Sequence, residues 1–276
     1  MSTAFVLSGG ASLGAMQVGM LRALYKRGIT PNLLVGTSAG ALNAAFVASR
    51  PQTVTTANQL ARAWIGMQRE EIFPVALRTF FGGVSSRHDH LVPDRGLRRV
   101  LRGLIDIESL EHAAIPLHVV AFDVLGGREV LLSEGPAVEA LLAAAAIPGV
   151  LPPVPWGDQR LVDGGVVNNT PISHAVEAGA ERVYVLPTST GRGALERPHR
   201  GAADAAIHAL SLLLDVRLAA DIARYAGEVE LIVLPAVNAR GVQPTDFTQA
   251  RGLIDDAFAS ATAALSAARV PVARAA

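Results

Sequence analysis

The sequence predicts an α/β fold, a three-layer α/β/α arrangement in which helices cover both faces of a mainly parallel central sheet. Three observations lead there. Two strand-turn-helix units open the chain, strand-like and helix-like patterns alternate to its far end, and 50% of the 276 residues are hydrophobic against 17% charged. That composition supplies ample apolar surface for a sheet core with helices packed on it. No low-complexity linker or fixed-period repeat divides the chain, so residues 1–276 are expected to form a single domain.

The elements follow in order. Ala4 to Leu7 is a short buried-strand candidate; glycines come next, and Met16, Met20 and Leu24 recur at helical spacing until Gly28 offers a C-cap. Leu33 to Gly36 repeats the strand, Ser38 the tight turn, and Ala39 to Ser49 the helix-compatible stretch. Thr53 to Gln68 has helical periodicity. Residues 78–93, RTFFGGVSSRHDHLVP, have no period and read as a loop, a candidate lid or rim, before a helix over 94–105. Residues 116–124 and 128–133 read as strands around the turn LGG, and 136–146 as a helix stopped by Pro148. Asp163 falls at a strand end before paired glycines. Strand candidates at 182–187 and 229–235 then alternate with helical stretches over 202–225 and 247–268, and residues 188–202 read as a polar surface loop.

Composition excludes several function classes. Lys plus Arg equals Asp plus Glu, 24 against 24, so no net field draws nucleic acid or an anionic membrane. No cysteine is present, which removes disulfides, thiolate metal sites and cysteine nucleophiles. The apolar N-terminus lacks a basic n-region and is interrupted by glycines, and no run reaches the ~18 apolar residues of a spanning helix. The expectation is a soluble, cytoplasmic protein, with any lipid contact local and peripheral.

Chemistry concentrates in three places. Gly36, Ser38 and Gly40 have the G-x-S-x-G spacing of a nucleophile elbow, in which small residues let a strained turn expose a serine; a plain helix-capping serine is the alternative. In SGGASLG, Ser8 to Gly14, backbone amides of Gly9, Gly10, Ala11, Ser12 and Gly14 at a helix start can aim at an anion. A dinucleotide turn is the alternative there, but no acidic residue ends the second strand where that fingerprint wants one. An oxyanion hole beside a serine nucleophile accounts for both turns at once. Asp163, with Gly164 and Gly165 clearing space, is a candidate base, against the alternative of an Asx-turn aspartate. His174, His199 and His208 follow it and are the histidines to weigh as a base, though none has a distinctive setting. His88 and His90 with Asp89 and Asp94 imitate a metal cluster but lack helical ligand spacing, so no metal is expected. The Pro-kinked stretch 143–156 is either acyl-contacting or core, and Phe80 and Phe81 are either a lid tip or a packed rim.

Taken together, SGGASLGAMQVGMLRAL, GTSAGALNA, AAIPGVLPPV and LVDGGVVNNTPI resemble, in order and spacing, the motifs of the patatin-like phospholipase family, over roughly residues 4–185. The resemblance implies a patatin-type α/β/α domain and a serine-aspartate dyad that hydrolyses acyl esters of lipids through an acyl-enzyme. Ser38 would be the nucleophile, Asp163 its base, and the amides around Gly9 to Gly14 the oxyanion hole; no histidine and no cofactor is required. Two positions depart from the family pattern Gly-Gly-Gly-x-Arg-Gly, with Ala11 for the third glycine and Leu13 for the arginine. Two rivals follow: an acyltransferase using the same serine, and a lipid-binding or regulatory module that no longer catalyses. The expected partner is a lipid or ester substrate, with transient membrane-surface contact and no nucleic acid; oligomeric state leaves no trace in the sequence.

Overall fold

The structure is a computed structural model that describes residues 1–72, 89–189, 201–239, 242–243 and 245–267. Phe80, Phe81, His88 and His199, with most of the candidate lid and of the polar loop after Thr188, lie outside the described residues.

Eight strands form one sheet: β1 (Thr3–Leu7), β2 (Leu33–Thr37), β3 (Leu117–Asp123), β4 (Arg128–Leu132), β5 (Val154–Trp156), β6 (Gln159–Asp163), β7 (Arg182–Leu186) and β8 (Glu230–Val233). Their order is β5-β6-β3-β2-β1-β7-β8, with β4 also paired to β3. β3, β2, β1, β7 and β8 run parallel, whereas β4, β5 and β6 form an antiparallel flank. The edge strand β5 carries Pro155, which a central strand would not tolerate.

The helices are α1 (Ala15–Lys26), α2 (Ala39–Ala48), α3 (Val54–Gly66), the single turn α4 (Arg69–Ile72), α5 (Arg95–Leu104), α6 (Ala137–Ala145), α7 (Ile172–Glu177), α8 (Ala202–Tyr225) and α9 (Ala250–Ala267). Alternation along the strands sorts the core into two faces. Phe5, Leu7, Leu34, Tyr184 and Leu186 join one apolar cluster with α1, α2, α3, α5, α6 and α9. Ala4, Val6, Leu33, Val35, Val183 and Val185 join the other with α7 and α8. The predicted three layers and the mainly parallel sheet are thus present. β1 and β2 are buried at every position, as strands covered on both faces should be.

The chain leaves β1 toward β2 on one side and later returns to lay β7 on the other, so the strand order reverses at β1. Crevices at the carboxyl ends of strands beside such a reversal are the usual ligand sites of open α/β sheets. Ser8, Ser38 and Pro187 follow directly on the ends of β1, β2 and β7.

Candidate active site

β2 ends at Thr37, and the chain turns into α2 through Ser38, whose backbone sits at φ 53, ψ −126. A non-glycine residue held there costs on the order of 1–3 kcal/mol and persists only where its surroundings impose it. Those surroundings are tight. A Cβ on Gly40 would lie 2.2 Å from the Leu7 carbonyl oxygen, and one on Gly36 2.7 Å from the Ala41 Cα. The Ser38 carbonyl accepts from the Ala41 and Leu42 amides at 2.9 and 3.2 Å and so starts α2. Its side chain makes no capping hydrogen bond, so the capping alternative does not hold and the hydroxyl is left for another partner.

Asp163 lies within electrostatic reach of it. The residue ends β6 opposite Ala121 on β3, and its amide donates to the Ala146 carbonyl at 3.0 Å. Oδ1 accepts from the Gly165 amide at 2.8 Å, so the Asx turn weighed for this residue is also present and orients the carboxylate. Ser38 and Asp163 are only 7% and 6% exposed. Burial pushes the Asp163 carboxyl up from 3.8 to about 6, against the opposing pull of hydrogen bonds from the Ser38 hydroxyl and the Gly165 amide. Gly164 sits where a Cβ would come within 2.6 Å of the Val120 carbonyl oxygen, so the Asp-Gly-Gly element presses directly on β3.

The glycine loop divides. The Gly9 amide donates to the Asn169 carbonyl at 3.0 Å, a correction to the expectation that it is open to an anion. The Gly9 carbonyl accepts from Thr188 Oγ1 and from Asn169 Nδ2, the latter at 3.4 Å. Ser12 Oγ donates to the Gln243 carbonyl at 3.1 Å, and Gly14 packs on Ala39 and Trp64. Gly10 and Ala11 remain: they line the same cavity as Ser38, and their amides, at the start of a 3-10 turn over Ala11–Gly14, have no backbone acceptor among the described residues. Ala11 takes φ 48, the left-handed conformation that a glycine would adopt without strain.

Ser38, Asp163, Gly10 and Ala11 open on one cavity of about 360 Å³, with apolar walls that include Leu13, Ile147, Val166, Leu210 and Leu214. Leu13 stands where the family arginine is expected. The Pro-kinked stretch divides: Ile147 and Pro148 line the cavity while Leu151 and Val154 are buried in the core. No histidine lines it among the described residues. His174 sits on α7 paired with Glu129, His208 lies on α8, and His90 pairs with Asp89. Among the described residues no cluster of three His, Cys, Asp or Glu is arranged to hold a metal.

A sequence profile described as Patatin-like phospholipase matches residues 5–176, more than half of the chain. The chain belongs to the patatin-like phospholipase family. It is 30% identical over 176 residues to an uncharacterized NTE family protein of Mycobacterium tuberculosis, covering 62% of this chain and 27% of that one. It is 28% identical over 185 residues to human patatin-like phospholipase domain-containing protein 6, covering 66% of this chain and 13% of the relative. The chain therefore spans about a quarter or less of the length of these relatives. VipD from Legionella pneumophila superposes with a TM-score of 0.49 at 14% identity, over 96% of this chain and 67% of that one.

The family motifs carry polar residues that sequence reasoning passed over. Gln17 and Asn43 are buried in otherwise apolar helices. Gln17 Nε2 donates to the carbonyls of Ser8 and Leu186 at 2.8 and 2.9 Å, while its Oε1 accepts from Asn43 Nδ2 at 2.8 Å. Asn43 Nδ2 also donates to the Gly14 carbonyl at 2.9 Å, and Asn43 Oδ1 accepts from Trp64 Nε1 at 2.8 Å. Two amides and an indole thus tie both ends of the glycine loop to α2 and β7, and the donors and acceptors of this trio are paired with one another and with backbone carbonyls. The signal was available as single polar residues inside the apolar runs AMQVGML and GALNAAF.

Proposed function

We propose that this chain is a serine hydrolase of lipid carboxylic esters, with Ser38 as nucleophile, Asp163 as its side-chain base and the Gly10 and Ala11 amides as the oxyanion hole. The observation that carries the reading is the strained Ser38 opening on the same apolar cavity as the buried Asp163, whose carboxyl is raised to about 6 by burial. An aspartate near its ordinary pKa is a feeble base for a hydroxyl. Raised to about 6, it remains ionised at neutral pH yet holds a proton far more readily, which is what general-base work at that pH needs.

The steps follow. Ionised Asp163 takes the Ser38 proton as Oγ bonds to the ester carbonyl carbon, and the oxygen that gains the charge meets the Gly10 and Ala11 amides. The amides at the start of α2 add a favourable field. As the carbonyl reforms, the C–O bond to the alcohol breaks and the alcohol leaves with the proton from Asp163. Water enters, gives a proton to Asp163 and attacks the acyl-Ser38 ester; Ser38 then leaves and recovers the proton, releasing the acid.

The apolar walls suit an acyl chain, and α8 continues them outward: Leu210 lines the cavity and is itself 48% exposed, with Leu213 and Val216 still more exposed further along the helix. This continuity supports transient contact of α8 with a lipid surface during substrate entry. Ser38→Ala and Asp163→Asn are each expected to abolish hydrolysis of nitrophenyl esters and of lysophospholipid or acylglycerol substrates while the fold persists. A fluorophosphonate should label wild type at Ser38. Undiminished turnover in either purified variant refutes the dyad, and a folded wild type that neither turns over nor labels favours the lipid-binding module. Capture of the acyl group by added alcohol or thiol in place of water would mark an acyltransferase.

A further inference from the structure

A second cluster of polar side chains reaches both Thr37 and Gly164, outside the residues assigned above. Its centre is Asn168, 1% exposed, which joins both halves of the dyad through its backbone. Its amide donates to the Gly164 carbonyl at 2.8 Å, next to Asp163, and its carbonyl accepts from Thr37 Oγ1 at 2.8 Å, next to Ser38. One peptide unit on each side of Asn168 thus meets the residue adjoining one dyad member.

The Asn168 side chain is held in turn. Its Nδ2 donates to Glu129 Oε1 at 2.9 Å and to Ser173 Oγ at 3.2 Å. Glu129, on β4, is paired through the same oxygen with His174 Nε2 at 2.5 Å, and His174 Nδ1 faces Glu177 at 3.3 Å. Burial alone would lower the His174 pKa, but its pairing with Glu129 and Glu177 outweighs this and raises it. Burial alone would raise the Glu129 pKa, but the bonds from His174 and Asn168 outweigh this and lower it. Each partner thus favours the charged form of the other. His118 of β3 faces His174, and burial together with the His174 charge lowers its pKa; Arg217 of α8 reaches Glu129 electrostatically while paired with Asp221.

We infer that Glu129, His174 and Asn168 are positioning residues: the ion pair clamps the Asn168 side chain, and Asn168 sets the separation of Ser38 and Asp163. The inference rests on the serine-aspartate reading for its catalytic consequence, but not for its structural one. A dyad with a single base has no histidine to take up slack between nucleophile and carboxylate, so small displacements fall directly on the proton transfer. Glu129 lies on β4 of the antiparallel flank and His174 on α7, so the clamp also ties the loop after Asp163 to both elements.

The test uses Glu129→Ala, Glu129→Gln and Thr37→Val in the full chain, with two readouts. The first is the titration of the Asp163 carboxyl followed by carbon-13 NMR. Loss of the clamp loosens the loop and admits water, so the midpoint is expected to fall from about 6 toward 3.8 in Glu129→Ala and to return in Glu129→Gln, whose amide oxygen still accepts from Asn168. The second is turnover of a nitrophenyl ester and the rate of fluorophosphonate labelling. Both are expected to fall at least about tenfold in Glu129→Ala and in Thr37→Val with KM within about twofold, and Glu129→Gln recovers most of the loss. An unchanged Asp163 midpoint in folded Glu129→Ala overturns the clamp whether or not the protein is an esterase. A wild type with neither turnover nor labelling overturns the dyad reading instead, while the NMR arm still decides the clamp. If Glu129→Ala does not fold, equal labelling rates for Thr37→Val and wild type overturn the proposal.

Discussion

Asp163→Asn separates the stability of the site from its chemistry. The Asp163 carboxyl is held at about 6 in the folded protein against an ordinary 3.8. Between those values the folded chain binds a proton that the unfolded chain has released, so stability falls as pH rises through the window. At about 1.4 kcal/mol per pH unit the difference amounts to about 3 kcal/mol, absent below pH 3.8 and fully expressed above pH 6. Asparagine keeps the shape and an oxygen to accept from the Gly165 amide, yet carries no charge to desolvate. Urea unfolding of wild type and Asp163→Asn from pH 4 to 7.5 isolates this group, since other titrations cancel in the difference. The variant is expected to gain up to about 3 kcal/mol relative to wild type across that range while losing hydrolysis throughout. A difference that stays flat with pH refutes the raised carboxyl, and with it the reason Asp163 can act as a base.

Further outcomes follow from the same geometry. In wild type, kcat/KM should rise with pH through a single ionisation near 6 and then level; a limb centred below 5 would mean that the ionisation controlling activity is not that of the buried Asp163. Gly40→Ala forces a Cβ to within 2.2 Å of the Leu7 carbonyl, a clash with backbone, and should cost about 3 kcal/mol or more or prevent folding, read by thermal melts. Gln17→Leu strips the donors from two buried carbonyls, Ser8 and Leu186, and is expected to lose about 2–4 kcal/mol with a fall in kcat, measured on the folded fraction. Ala11→Gly relieves the left-handed strain at φ 48 without removing an amide, so labelling by fluorophosphonate should be as fast as in wild type or faster. Leu213→Asp with Val216→Asp, both on the exposed side of α8, should reduce hydrolysis of vesicle lipids while leaving soluble nitrophenyl esters untouched.

Local sequence already carried the elements of the fold. Short apolar runs locate β1 and β2 and period-3.6 patterns α3, α5 and α8, because burial on one or both faces writes itself into the order of apolar residues. The G-x-S-x-G and Asp-Gly-Gly elements were equally legible, since each answers a steric demand made within a few residues of itself. What these motifs left open were choices between partners. Ser38 read alone fits a helix cap as well as a nucleophile, and Asp163 read alone fits an Asx turn.

Tertiary structure removes the cap at Ser38 and keeps the Asx turn at Asp163. Asp163 both makes its Asx turn and shares a cavity with Ser38, features that one carboxylate combines only because β6 runs antiparallel to β3 beside the end of β2. The Gly9 amide, open to an anion on paper, is taken by the Asn169 carbonyl from 160 residues away. The roles of Gln17, Asn43, Glu129, His174 and Asn168 could not be read locally, because each makes a hydrogen bond to a segment far along the chain. The sequence by itself determined the layers, the strained serine and the identity of its neighbours in type. The packing of distant segments determined which amides stay free, how dry Asp163 becomes and how far its proton affinity rises, since desolvation is a property of the surrounding volume and is written in no single stretch of residues.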